Sequence, residues 1–504
     1  MLKPSLAAAG DVHSPTGDGT TGEVTPLTLA PPLTRQSALT LAEQLAERLA
    51  QRIRDRLLAP GARLPSVRQC AAQQGLSPST VVAAYDLLLA KGLVEAQRNR
   101  GFFVRQQGAL APVGAPTAVR EGTAIGVRAG PPINAGALIR GMFQPPGERA
   151  QPGMGAFPPE WMENAFLHSA VRRVTTSAAL NDVSLRYGEP LGDSHLRRVL
   201  AERLQGMGMP VEAGQIITTM GATQALDIVS RTLLKAGDCV MVEEPGWAVE
   251  FARLNAQGVR ILPVPRTAAG PDLEVMARYC EAHAPKLFVS VSVLHNPTGY
   301  CLSPASAHRV LQLAQAHDFY VVEDDTYSHI APEHATRMSV LDGLQRTIYV
   351  SGFSKILAPN WRVGYLAAPT DWVERLLDTK LLSALTTPSL LERAVALCIE
   401  QGQLRRHAER VRQRLDAARS RSVKLAQEAG CRFVTEPAGL FGWVDTGVDT
   451  EALAQRMLDE GYLIAPGALF HAARAPSTLM RINFATTQEP AFWRVFSRLT
   501  AGAR

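Results

Sequence analysis

Apolar side chains recur every four residues at Leu41, Leu45, Leu49, Ile53 and Leu57, which predicts an amphipathic helix ended by Pro60-Gly61. A second, shorter helix is predicted from Pro65-Ser66-Val67-Arg68 to Gln74, and Gly75-Leu76-Ser77 turns the chain into a third. Ser77 is placed to cap that third helix, Pro78 suits its first turn, and the pattern runs to Lys91. Two short apolar runs follow, at 92–96 and 101–104, on either side of a basic tip, Arg98-Asn99-Arg100. Three helices with a tight turn before the third, then a basic hairpin, predict a winged helix-turn-helix.

Beyond residue 140 the period changes. Helical patterns near 161–174 and 193–206 precede short apolar strands at 215–218, 239–243, 287–291, 320–323 and 347–350, each separated from the next by a helical stretch. That alternation predicts an α/β domain with a mostly parallel sheet covered by helices. Residues 1–33, rich in Gly, Pro, Thr and Ala, read as a disordered tail, and 107–140, rich in Ala, Gly, Pro and Val, as a flexible linker. Two folded units are therefore expected, 34–106 and 141–504.

Composition agrees with that division. A chain of 504 residues with 46% hydrophobic and 19% charged side chains is globular and large enough for two or three domains. The six cysteines lie far apart, without a Cys-x-x-Cys pair or metal-ligand spacing, so a reducing compartment and no metal site are expected. No apolar run reaches the ~18 residues of a membrane span, and the N-terminus lacks an apolar signal segment, which makes the cytoplasm the expected location. The net charge of +6 gains meaning once located: residues 34–105 hold 11 basic and 5 acidic side chains, so the whole excess sits there. Double-stranded DNA is the partner such a segment suits.

The candidate chemistry centres on Ser351-Gly352-Phe353-Ser354-Lys355, with Arg362 seven residues on. A lysine acting as a covalent catalyst must be partly desolvated so that its neutral amine is reachable. An arginine with Ser351 and Ser354 nearby offers charge and hydroxyl donors to a phosphate. Lysine for an aldehyde and arginine for a phosphate describe a pyridoxal 5'-phosphate site. Gly221-Ala222-Thr223 follows a strand and opens a helix, where free N–H groups suit a phosphate as well.

The lysine segment resembles that of fold-type I aminotransferases, and further pieces follow in the order that family uses: Tyr187-Gly188-Glu189-Pro190, Thr219-Met220-Gly221, Glu244-Pro245-Gly246-Trp247, His295-Asn296-Pro297-Thr298-Gly299, Glu323-Asp324-Asp325-Thr326-Tyr327 and Met480-Arg481-Ile482-Asn483. The resemblance implies that Trp247 stacks on the cofactor ring, that Asn296 and Tyr327 share its phenolic oxygen, and that a carboxylate holds the ring nitrogen protonated. Spacing from Tyr327 selects Asp324 over Asp325, although either also suits a helix cap. The resemblance further implies that Arg481 clamps a substrate carboxylate and that Tyr187 reaches the phosphate of a second subunit in a homodimer.

The N-terminal unit resembles the GntR superfamily through Leu64-Pro65-Ser66-Val67-Arg68, Leu76-Ser77-Pro78-Ser79-Thr80-Val81, Ala84-Tyr85-Asp86-Leu87-Leu88 and Gly101. Pro78 and Val82 stand where relatives often carry basic residues, so DNA contact is expected through phosphates. Arg68, Arg98 and Arg100 are the candidates for the backbone, and Ser77, Ser79, Thr80 and Tyr85 for phosphates or bases. The two units joined are the architecture of MocR-type transcriptional regulators. That resemblance implies an operator-binding protein in which Lys355 holds the cofactor and an amino compound is sensed as an external aldimine that displaces this lysine, with an active aminotransferase carrying a DNA-binding appendage as the alternative.

Overall fold

The N-terminal helices form where their spacing places them. In the computed structural model, α1 (Leu41–Arg54), α2 (Val67–Gln74) and α3 (Pro78–Ala90) turn Leu45, Leu49, Ala71, Val81, Ala84 and Leu88 into one core. Residues 33–34, 39–54, 58, 61–97, 100–105, 151–162, 165–176, 185–332 and 334–501 are described. The expected tail up to residue 32, the expected linker, Leu57 and Arg98 lie outside them.

Local chemistry fixes the helix ends. Ser66 caps α2 in a reciprocal box with Gln69, and Gly75 closes the helix in the left-handed conformation at φ 64°. Ser77 accepts from the Thr80 amide at 3.2 Å and caps α3. The hairpin of β1 (Val94–Gln97) and β2 (Gly101–Val104) closes on the core through Val94 and Val104, directly opposite each other. Tyr85 corrects the sequence reading. It is fully buried, packs edge-on against Phe102 at 5.0 Å and donates to the Pro65 carbonyl at 2.8 Å, so it is a core group and not a DNA contact.

The second unit is built on a seven-stranded sheet of β3 (Ile216–Thr219), β4 (Cys239–Glu244), β5 (Arg260–Pro265), β6 (Leu287–Ser290), β7 (Tyr320–Asp324), β8 (Thr347–Gly352) and β9 (Gly364–Ala367). The strand order is β3-β9-β8-β7-β6-β4-β5, parallel from β5 across to β8, with β9 antiparallel to both its neighbours. The five expected strands are present. Two more were not read from the sequence. Pro263 and Pro265 break the apolar run of β5, which is tolerable because that strand lies at the sheet edge. The four residues of β9 follow directly on the lysine segment and are too few to show a period.

A smaller antiparallel sheet, β10 (Arg432–Phe433), β11 (Phe441–Asp445), β12 (Ala465–Pro466) and β13 (Leu479–Asn483), follows the 26-residue helix Gln403–Glu428. Both of its faces are buried: Phe441 and Trp443 share one with Arg481 and Asn483, and Val444, Met480 and Ile482 share the other. The same core continues to Phe353, Ile356 and Leu357 beside Lys355, so the two sheets are joined under the lysine. The helix Thr450–Asp459 of this lobe also meets the N-terminal unit. Asp459 pairs with Arg52 of α1 and accepts from Gln74 of α2 at 3.4 Å. Among the described residues, no helix is long and apolar enough to cross a membrane.

Candidate functional site

Strand ends at one edge of the large sheet bring the candidate residues together. Just past β8, Lys355 donates from Nζ to the Gly155 carbonyl at 2.7 Å. Burial lowers its amine to about 8, with help from the positive charges of Arg481 and Arg362 and against the pull of Asp324. Arg481, on β13, is only 5% exposed. It donates to Asn296 Oδ1 at 3.0 Å and to the Gly153 carbonyl at 2.6 Å, and lies over the rings of Phe441 and Phe470 at 4.4 and 5.1 Å. Its Nε has no partner among the described residues, and burial lowers the guanidinium to about 10. A buried cation with a donor to spare is poised for a carboxylate.

The two adjacent carboxylates at the end of β7 differ in their partners. Asp325 is held by Arg337 at 2.5 Å and by the Tyr349 hydroxyl at 2.8 Å, which leaves it structural. Among the described residues Asp324 takes only the amide (3.0 Å) and hydroxyl of Thr326, and burial raises its carboxyl to about 6. With Trp247 and His295 it lines a cavity of about 20 Å³. Asn296 gives its oxygen to Arg481 and keeps its amide to donate. The Tyr327 ring meets Phe441 edge-on at 5.7 Å, and burial raises its hydroxyl, keeping it a donor.

The phosphate side is a close approach of backbones. Gly221 precedes the helix Ala222–Leu233 at φ 83°, and a Cβ there would stand 2.5 Å from Arg362 Nη2. Arg362 reaches Ser354 Oγ at 3.1 Å and the Met220 carbonyl at 2.8 Å, so Ser354, Arg362 and the helix start with Ala222 and Thr223 form one cradle. Ser351 does not join it. Its hydroxyl is fully buried and donates to the Asp325 carbonyl at 2.9 Å, a structural bond inside the sheet. Tyr187 stands apart as well, 83% exposed.

One part of the site was not read from the sequence. The segment 151–157 lies across the cleft, and four successive carbonyls are engaged. Arg481 takes that of Gly153, Asn483 those of Met154 and Ala156 at 2.9 and 2.7 Å, and Lys355 that of Gly155. A Cβ at Gly153 would come within 2.7 Å of the Ile464 backbone, so the Gly-x-Gly pair was the available signal for close approach. This segment also holds Leu463, whose carbonyl accepts from the Gly153 amide at 2.7 Å and whose amide donates to Gln151 at 2.9 Å.

On the N-terminal unit, Arg68, Ser77, Ser79 and Arg100 are exposed and Thr80 is half-buried. The Ser77 hydroxyl is committed to its cap and to the Ser79 and Thr80 hydroxyls, each at 2.8 Å. The first turn of α3, Pro78 to Val81, carries no long polar side chain. Arg68→Ala is expected to weaken binding to any duplex alike and to lower the salt slope by about one unit. Titration with operator and random DNA at several salt concentrations checks this, and a loss confined to operator would count against it.

The residues fit pyridoxal 5'-phosphate. A near-neutral amine, a carboxyl with one oxygen to spare and a cradle that a single Cβ would fill are the three things it needs. Residues 158–499 match the family described as aminotransferase class I and II, and residues 41–104 match bacterial regulatory proteins of the gntR family. The probable rhizopine catabolism regulatory protein MocR of Rhizobium meliloti is 31% identical over 72% of this chain and 72% of its own length. The HTH-type transcriptional regulator YjiR of Escherichia coli is 29% identical over 84% of this chain and 90% of its own. Among solved structures, LysN, an alpha-aminoadipate aminotransferase of Thermus thermophilus complexed with N-(5'-phosphopyridoxyl)-L-leucine, superposes with a TM-score of 0.65. It is 25% identical, covering 70% of this chain and 92% of its own.

Proposed function

This chain belongs to the MocR-type regulators, a gntR-family DNA-binding domain joined to an aminotransferase class I and II domain, and from that premise we propose that an amino compound entering the cleft of Lys355 and Arg481 changes its hold on operator DNA. Pyridoxal 5'-phosphate, when bound, supplies an aldehyde for amines and an electron-poor ring. This chain's residues would hold it. Lys355 presents the amine, Gly221, Ala222, Thr223, Ser354 and Arg362 take the phosphate, and Trp247 covers the ring. Asp324 holds the ring proton, and Asn296 and Tyr327 donate to the phenolic oxygen.

One observation favours a sensor over an enzyme with an appendage. The cations that an amino acid would engage, Lys355 and Arg481, hold the carbonyls of Gly155 and Gly153. That segment is bonded to Leu463, four residues past Asp459, and Asp459 is bound to Arg52 and Gln74 of the DNA-binding domain. A ligand carboxylate that takes Arg481 releases one end of this path, and the other end grips α1 and α2. An enzyme with a passive appendage would have no use for the connection.

The amino compound would therefore bind two arrangements of the segment with different affinity, which is the condition for moving an equilibrium. A second copy of the chain fits the exposed apolar side chains of Leu185, Tyr187, Leu382 and Leu385. The Gly188 amide, bonded to the Thr386 hydroxyl at 3.2 Å, joins the two segments that carry them. In such a homodimer Tyr187 is the residue available to the partner's cradle. The test titrates amino acids and amines against the protein while operator affinity and keto-acid release are followed together. A shift of about 5–150-fold in affinity without keto-acid turnover is expected. Rapid turnover with unchanged affinity would favour the aminotransferase.

A further inference from the structure

The helix Gln403–Glu428 carries eight basic and three acidic side chains, a net +5. The excess of 34–105 hid this, because the rest of the chain sums to zero and so holds −5 outside this helix. The charges are sorted by face. Leu404, His407, Ala408, Val411, Leu415, Ala418, Ser422 and Ala426 are buried. Arg406, Arg410, Arg414, Arg421 and Lys424 are exposed at spacings of four, four, seven and three residues, which stacks them in one line on a 3.6-residue helix. The acids Glu409 and Asp416 lie to one side of that line and are taken by Arg405 (3.9 Å) and Arg419 (2.6 Å), which are not in it. Lys424 reaches a carboxylate, Glu428, at 4.0 Å. Neither Arg414 nor Arg421 has one among the described residues.

We propose that this line of arginines is a second DNA-contacting surface, engaging backbone phosphates of the same duplex that the winged helix holds. It rests on the DNA-binding reading above and extends it to a part of the chain that belongs to the other domain. From Arg406 to Arg421 and Lys424 the line runs about 27 Å, the length of about eight base pairs at ~3.4 Å per step. Like charges at i and i+4 are unfavourable on an isolated helix, and a row of phosphates relieves that repulsion. Guanidinium groups match phosphate oxygens with paired donors, and four of the five cations are arginine. DNA is the polyanion this protein brings to itself. Once the winged helix is bound, the flanking duplex is tethered at high effective concentration, so contacts too weak alone become effective.

The experiment compares the full-length protein with a variant carrying Arg410→Gln, Arg414→Gln and Arg421→Gln together. On a random duplex of ~60 base pairs the log–log salt slope is expected to fall by about two to three units and low-salt affinity by about tenfold or more. On a duplex of ~15 base pairs, long enough for the winged helix alone, both proteins should bind equally. Three Arg→Lys replacements should keep most of the slope, which separates charge from a fold defect. An unchanged slope on the long duplex would overturn the proposal, and so would a variant that loses affinity only for polyglutamate or anionic lipid vesicles. If the unsubstituted protein binds neither duplex, the DNA-binding reading itself fails and takes this surface with it.

Discussion

Lys355→Ala abolishes covalent capture of the cofactor. Purified protein is expected to be yellow, and borohydride reduction followed by peptide mapping should place the pyridoxyl group on Lys355. In the alanine variant that absorbance and that peptide are both lost. The physical ground is the burial that lowers this amine to about 8, so that a useful fraction is neutral near physiological pH. The direction has its own check. In cofactor-free protein an amine-reactive label should modify Lys355 with a midpoint near pH 8, whereas an ordinary lysine, at ~10.4, needs a more alkaline solution. Lys380 shares the lowered value through burial and makes an internal control, because its Nζ is spent on the Pro190 carbonyl at 2.7 Å and it is fully enclosed. Long-wavelength absorbance that survives in Lys355→Ala would assign the capture to another group.

Asp459→Ala is expected to disconnect the two domains. Asp459 binds both Arg52 and Gln74, and Arg48 also donates to Gln74 at 3.2 Å, so one carboxylate organises the seam. Cofactor absorbance and the response of that absorbance to amino compounds should stay as in the unsubstituted protein. The effect of those compounds on operator affinity should shrink from about 5–150-fold to within about twofold. Arg52→Ala should do the same, and the double variant should be no worse than either alone, as partners in one interaction require. An undiminished effect in both single variants would mean that the signal takes another route.

Much of this was legible in the sequence because it depends on local rules. Helix periodicity, the cap at Ser77 and the glycine at 75 place α1, α2 and α3 without reference to anything distant. The lysine segment and the Asn296 and Asp324 motifs sit at strand ends, where chain order alone brings them to one edge of a parallel sheet. Distant packing decided the rest. Tyr85 looked like a helix-surface polar group, yet Phe102 of the hairpin and the Pro65 carbonyl enclose it. Ser351 lies near Lys355 in sequence but points into the sheet toward Asp325. The antiparallel lobe was missed because strands of two residues, β10 and β12, carry no period. The segment 151–157 was missed because its role lies in backbone carbonyls, which residue type hardly marks.

The central claim is that the cleft and the DNA-binding surface share one free energy. Thermodynamic linkage then requires reciprocity: if an amino compound changes operator affinity by some factor, operator must change the affinity for that compound by the same factor. The amino compound is titrated into the cofactor-loaded protein with and without saturating operator, its binding read from the cofactor absorbance. The two dissociation constants should differ by the factor found in the DNA titration, within about 5–150-fold. Identical constants with and without operator would contradict the account.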